Sequence, residues 1–170
     1  MQTAMLELMK HTELKKITVK KICEKAVVNR STFYAHFIDI YDMLDKMEQE
    51  LRKELLASYN NQEENSIFSE ASLIRFLEHI KKHKYFYKIV LQTRTSFPLE
   101  QGYKPLWEII ELRCKKAGII DDKEIMYYFI NFQAGFTMIL KHWVDTDCNI
   151  NETEVAAIIR NCIPNTLTFN

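Results

Sequence analysis

The chain has 170 residues, 47% of them apolar and 27% charged, the composition of an ordinary soluble globular protein long enough for one large domain or two small ones. Its 23 Lys and Arg balance 23 Asp and Glu, which argues against a general polyanion binder and leaves only local patches. No apolar run approaches the ~20 residues that cross a bilayer and no charged-then-apolar leader opens the chain, so a cytoplasmic protein with no membrane partner is expected.

Only three glycines and three prolines occur, none of them within residues 1–58, and that scarcity predicts a mostly helical chain. Met1, Ala4, Met5 and Leu8 lie on one helix face, so the chain opens in helix with no cap ahead of it, and a preceding N-terminal arm is expected. After a polar break from His11 to Ile17, Thr18 caps a helix that buries Val19, Ile22, Cys23 and Ala26. Asn29 caps a short helix to about His36. Asp39, with Asp42 in a capping-box place, starts a helix striped by Leu44, Met47, Leu51 and Leu55. The polar stretch 58–66 reads as a join. Helices follow at about 67–82 and 84–94, then a break at TSFP (95–98) and a helix over about 103–117 that ends on Gly118 as a C′ glycine. Asp121 with Glu124 opens a long helix to about Val144. DTDCNI is a loop, and Asn151 with Glu154 opens a last helix to about Ile163. The expected class is all-α, with an N-terminal domain over 1–48 and a larger helical domain over 49–170.

The two short helices on either side of Val27, Val28 and Asn29 make a helix-turn-helix candidate. From Lys10 to His36 there are seven Lys or Arg against two Glu, a local excess of the charge that phosphate contact needs. Phe33 and Phe37, four apart, point inward. Arg30, Ser31, Tyr34 and, partly, Thr32 fall outward, where a guanidinium suits guanine edges and hydroxyls suit bases or phosphate. A solvated helix face with one exposed tyrosine is the plainer reading of the same residues.

The stretch ITVKKICEKAVVNRSTFYAHFIDIYDML resembles the helix-turn-helix of TetR-type regulators. Thr18, Ile22, Ala26, Val28, Thr32, Phe33, Tyr34, His36, Phe37 and Leu44 stand in register with that family's pattern. The resemblance covers residues 4–48 closely and the remaining helical plan more loosely. It implies DNA binding through Thr18, Lys20, Asn29, Arg30, Ser31, Thr32, Tyr34 and His36. Two positions depart from the pattern. Val27 stands where the family places glycine; a β-branched residue at positive φ is strained, so the turn is expected to adjust locally. Ile40 stands where the family often has a phosphate-binding lysine, for which Lys20, Lys21 and Lys25 are possible substitutes.

In the long helix Ile125, Phe129, Phe132, Phe136, Ile139 and Trp143 form one apolar stripe, and Tyr128, Gly135, Met138 and His142 a neighbouring face, so this helix is expected to be covered on more than one side. The resemblance implies that the last two helices pair with their copies in a second subunit. Phe132, Gly135, Phe136, Ile139, Trp143, Val155, Ile158 and Ile159 are the expected interface residues. It also implies an inducer pocket among the middle helices for a small apolar or aromatic ligand, with Phe86, Tyr103, Trp107 and Phe129 as candidate lining residues; core packing is their ordinary role.

Other signals carry less. Cys23, Cys114, Cys148 and Cys162 share no C-x-x-C spacing and read as reduced thiols. His79 and His83, four apart, lack an evident third metal ligand. Asp145, Asp147 and Asn149 lack the glycine and the distal glutamate of a calcium loop. No catalytic motif occurs, and neither an enzyme nor a cofactor is expected. The leading expectation is a homodimeric, ligand-responsive transcriptional repressor on a near-palindromic double-stranded operator. The alternative is a helical sensor or interaction protein of the same fold with weak or lost DNA binding, as Val27 and Ile40 would allow.

Overall fold

The computed structural model describes residues 1–58, 69–93 and 103–163, divided between two compact units, Met1–Asn65 and Ser66–Asn170. Among the described residues there are nine α-helices, one 3-10 turn and no strand. The protein is all-α.

The first unit holds α1 (Gln2–Met9), the 3-10 turn Leu14–Lys16, α2 (Val19–Ala26), α3 (Arg30–His36) and α4 (Ile40–Ala57). The last three helices begin where a short polar side chain takes up amides that have no partner in the helix. Thr18 Oγ1 accepts from Lys21 N at 3.3 Å, Asn29 Oδ1 from Thr32 N at 2.8 Å, and Asp39 Oδ1 from Tyr41 N and Asp42 N, both at 2.8 Å. The capping box expected at α4 is shifted: Asp42 Oδ2 accepts from Ile38 N at 2.9 Å, one residue ahead of the cap. Met5, Ile17, Ile22, Phe33 and Met43 are fully enclosed, with Met9, Cys23, Phe37, Leu44 and Met47 around them. Met9 rather than Leu8 completes the buried face of α1. Enclosing each large side chain of this kind stabilises the fold by about 1.5–3 kcal/mol. The domain boundary expected after residue 48 lies inside α4, which continues to Ala57.

The second unit holds α5 (Glu70–Lys82), α6 (Lys84–Thr93), α7 (Tyr103–Lys116), α8 (Asp122–Asp145) and α9 (Glu152–Cys162). The α6, α7 and α9 helices pack on α8, and α5 packs on α9 and α6, around a core that includes Leu77, Ile80, Phe86, Ile110, Ile125, Phe129 and Leu140. Ser69 and Asp121 cap α5 and α8. At α9 the full capping box forms, with Glu154 N donating to Asn151 Oδ1 at 2.9 Å and Asn151 N to Glu154 Oε2 at 3.2 Å. The α7 helix stops as expected at Gly118, whose φ is 88°. There Gly118 N donates to Lys115 O and Ile119 N to Cys114 O, the paired bonds of a Schellman ending. The α8–α9 loop turns through Asp147 and Cys148, both at positive φ. It is tied to α6 by Lys84–Asp147 at 2.6 Å, and the start of α9 to α5 by Lys81–Glu152 at 2.8 Å. His79 is buried, its Nε2 3.1 Å from Tyr87 Oη. The expected join at 58–66 (beyond Ser58) and the break at 95–98 lie outside the described residues. Among those described, no helix is long and apolar enough to cross a membrane.

Candidate nucleic-acid interface

The turn between α2 and α3 decides how the short third helix is presented. Val27 sits at φ 56° and ψ 46°, the left-handed region. Val27 N donates to Glu24 O at 3.3 Å and Val28 N to Cys23 O at 3.0 Å, so α2 ends in a Schellman pair with Val27 at the C′ place. The expected local adjustment of this turn does not occur. The backbone keeps the path that a glycine would favour, and the valine carries the strain, about 1–2 kcal/mol for an L residue in this region. Two bonds closing on α2, together with the burial of Ile22, Cys23 and Phe33, outweigh that cost. The Val27 side chain is 90% exposed, so its branching meets no neighbour that would push the turn elsewhere.

From this turn α3 runs seven residues with Phe33 enclosed, Phe37 buried just beyond it, and their ring centroids 5.3 Å apart. Arg30, Ser31, Tyr34, Ala35 and His36 are exposed, and Thr32 is half-buried. Tyr34 stands edge-on to Phe33 with 5.5 Å between centroids and is 59% exposed. Asn29 does more than cap. Its Oδ1 also lies 2.6 Å from Ser31 Oγ and 2.8 Å from Thr32 Oγ1. A carbonyl oxygen can only accept, so both hydroxyls donate to it and turn lone pairs outward. Donation from Ser31 or Thr32 to a phosphate therefore requires breaking a bond to Asn29.

The basic residues around α2 differ in how free they are. Lys20 is exposed and 3.7 Å from Glu24, Lys15 and Lys16 both pair with Glu13, and Lys21 Nζ donates to Lys16 O at 2.8 Å. Hydrogen bonds from Lys15 and then Lys16 hold the Glu13 carboxyl below its ordinary range. These exposed pairs are weak and exchange readily for phosphate contacts. Thr18 is exposed, with its oxygen engaged as the cap of α2. Ile40 is half-buried at the start of α4.

In the second unit two of the expected ligand-lining residues meet: Trp107 and Phe129 stand edge to face with 5.6 Å between centroids. Phe129 is fully buried, as is Phe86, which packs edge-on to Tyr87. The Tyr103 side chain lies outside the described residues. A groove between α8 and α9 is lined by Phe132, Gly135, Phe136, Ile139 and Ile159, residues expected at an interface rather than around a ligand, together with Asn131, Cys162 and Ile163. Trp143 and Val155 are interior to their own chain, the Trp143 Nε1 donating to Ile150 O at 2.9 Å. Ile158 is 44% exposed. Gly135 is exposed, and a methyl group added there would meet nothing within 4 Å.

The face of α8 that stays open carries Tyr127, Ile130 and Met138, which are 74%, 51% and 60% exposed, with exposed Ala134 between them. In the sequence Tyr127 and Ile130 are masked by the stronger stripe through Ile125, Phe129, Phe132 and Trp143. The spacing of three, then four and four from Tyr127 to Met138 marks a second apolar face.

A family model described as a transcriptional regulator C-terminal region, of the TetR type, matches residues 69–165. The solved structure of the dihydroxyacetone kinase operon activator DhaS superposes with a TM-score of 0.53 at 18% sequence identity, over 95% of this chain and 90% of that one; at that identity the likeness is one of fold. No curated protein matches the sequence.

Proposed function

The chain belongs to the TetR-type transcriptional regulators, non-enzymatic transcription factors, and from that premise we propose that it acts in the cytoplasm as a homodimer that binds a near-palindromic DNA operator through α2 and α3 and represses transcription until a small apolar or aromatic effector binds. The observation that carries the DNA-binding part is the two-sided character of α3: Phe33 and Phe37 fasten it to a core while Arg30, Ser31, Tyr34 and His36 stand in solvent. In this reading Arg30 reads a base edge. Tyr34, Thr18, Lys20 and His36 contact phosphate, and Asn29 orients the hydroxyls of Ser31 and Thr32 as acceptors for base amino groups.

Dimerisation is supported by the open stripe of Tyr127, Ile130 and Met138, by exposed Ile158, and by Gly135, whose missing side chain leaves space that nothing in its own chain fills. A two-fold pair of α3 helices would then meet half-sites one DNA turn apart. Effector binding shifts the protein only if the effector favours one of two states. Of the candidate lining residues described, Phe86 and Phe129 are both enclosed, and half-buried Trp107, edge to face with Phe129, is the one open to an effector.

A gel shift on the DNA upstream of the protein's own gene tests this function. Specific retardation should be lost with Arg30→Ala or Tyr34→Ala, the first relaxing sequence preference and the second weakening all sequences alike. Absence of any specific shift at moderate salt contradicts operator binding and favours the second reading, a sensor or interaction protein of this fold, to which Ile40 in place of a lysine points. A promoter–reporter assay tests the sign of regulation. Lower expression in the presence of the chain supports repression, and higher expression would make it an activator, as DhaS is by name.

A further inference from the structure

We propose that Lys46 is a positioning residue that aims α3 by gripping its last turn from α4; the proposal rests on the DNA-binding reading above. A seven-residue helix has little stability alone, so what holds its two ends sets its direction. The first end is held by Asn29 and the Val27 turn. At the other, Lys46 Nζ donates to the backbone oxygen of His36, the last residue of α3, at 2.8 Å. That carbonyl is one of those a helix terminus leaves without an internal partner. The same ammonium lies 3.0 Å from Asp42 Oδ2 and 5.3 Å from the centroid of the Phe37 ring. Asp42 Oδ2 in turn accepts from Ile38 N at 2.9 Å.

One ammonium and one carboxylate, a single turn apart on α4, thus hold the last carbonyl of α3 and a ring and an amide of the three-residue corner between α3 and α4. The Phe37 amide, bonded to Phe33 O at 2.9 Å, closes the last turn of α3 inside this grip. Charged hydrogen bonds of this kind are roughly twice as strong as neutral ones. Losing them frees the end of α3 while Phe33 and Phe37 keep the unit folded. The consequence falls on sequence discrimination, which needs side chains held in register with base edges, and not on general attraction to the duplex.

Lys46→Met keeps the apolar stem on Phe37 and removes the ammonium. Lys46→Met with Asp42→Asn removes one charge of each sign and leaves the net charge of the corner unchanged. The measurement is anisotropy titration of upstream DNA against a scrambled duplex of equal length, with amide exchange of the free protein in parallel. Both variants should lose about tenfold in the ratio of specific to scrambled affinity. The double variant should bind scrambled DNA within about twofold of the wild type, and Lys46→Arg should recover most of the ratio. The Phe37 amide should exchange several times faster in Lys46→Met, about fivefold. A double variant that discriminates like the wild type overturns the proposal, because Lys46 would then act only through its charge. If the wild type prefers no upstream sequence, the DNA-binding reading fails separately. Unchanged exchange at Phe37 would then overturn the grip, and faster exchange would uphold it.

Discussion

Val27 is where side-chain chemistry and backbone geometry disagree most openly. A valine at φ 56° with 90% of its surface exposed gives up backbone comfort and gains no packing. Val27→Gly removes a strain of about 1–2 kcal/mol and returns about 0.4–1 kcal/mol of it as extra freedom in the unfolded chain. The variant should therefore unfold at a higher temperature, by about 0.5–1 kcal/mol of stability, in a thermal melt followed by circular dichroism; a lower midpoint would show that the turn is not strained. Asp42 makes a second prediction. The Ile38 amide, and after it Lys46, hold its carboxyl below the ordinary range. A group whose pKa is depressed on folding stabilises the fold above its unfolded pKa, about 4, and that contribution disappears as pH falls through the folded value. Asp42→Asn should flatten the loss of stability below about pH 4, measured by urea melts across pH; an unchanged slope would mean that the contact does not persist in solution.

Among the elements, what could be read from the chain was local. Thr18, Asn29, Asp39, Asp121 and Asn151 cap the helices they were expected to cap because the acceptor and the amides it serves lie within three residues of one another. Gly118 ends α7 for an equally local reason. Gly118→Ala would place a Cβ in open space at φ 88°, so its effect is purely conformational, a loss of about 1 kcal/mol visible as a lower midpoint; an unchanged melt would mean that α7 ends without that turn. The α2–α3 turn was less legible, because the bonds of Val27 and Val28 back to α2 override the preference of the residue itself. In the candidate site, the outward residues of α3 followed from spacing. The bonds from Ser31 and Thr32 to Asn29 and the grip of Lys46 on His36 O did not, since they depend on rotamers and on a partner ten residues away.

For the molecule as a whole, the question is which apolar surface belongs to the core and which to a partner. Periodicity marks both as apolar, and only packing separates Trp143 and Val155, buried in their own chain, from Tyr127, Ile130 and Met138, which are open. Ile130→Asp together with Met138→Asp adds charge to the open stripe and leaves the buried core untouched. Sedimentation of the wild type should give the mass of two chains of 20.3 kDa and that of the variant one, with operator affinity reduced at least about tenfold as the second half-site is lost. A variant that remains dimeric would place the interface elsewhere. The central claim, a dimer presenting two α3 helices to one operator, is tested most directly by hydroxyl-radical footprinting on the DNA upstream of the gene. Two symmetric protected patches about one helical turn, ~10 base pairs, apart are predicted; a single patch, or no protection at moderate salt, would contradict it.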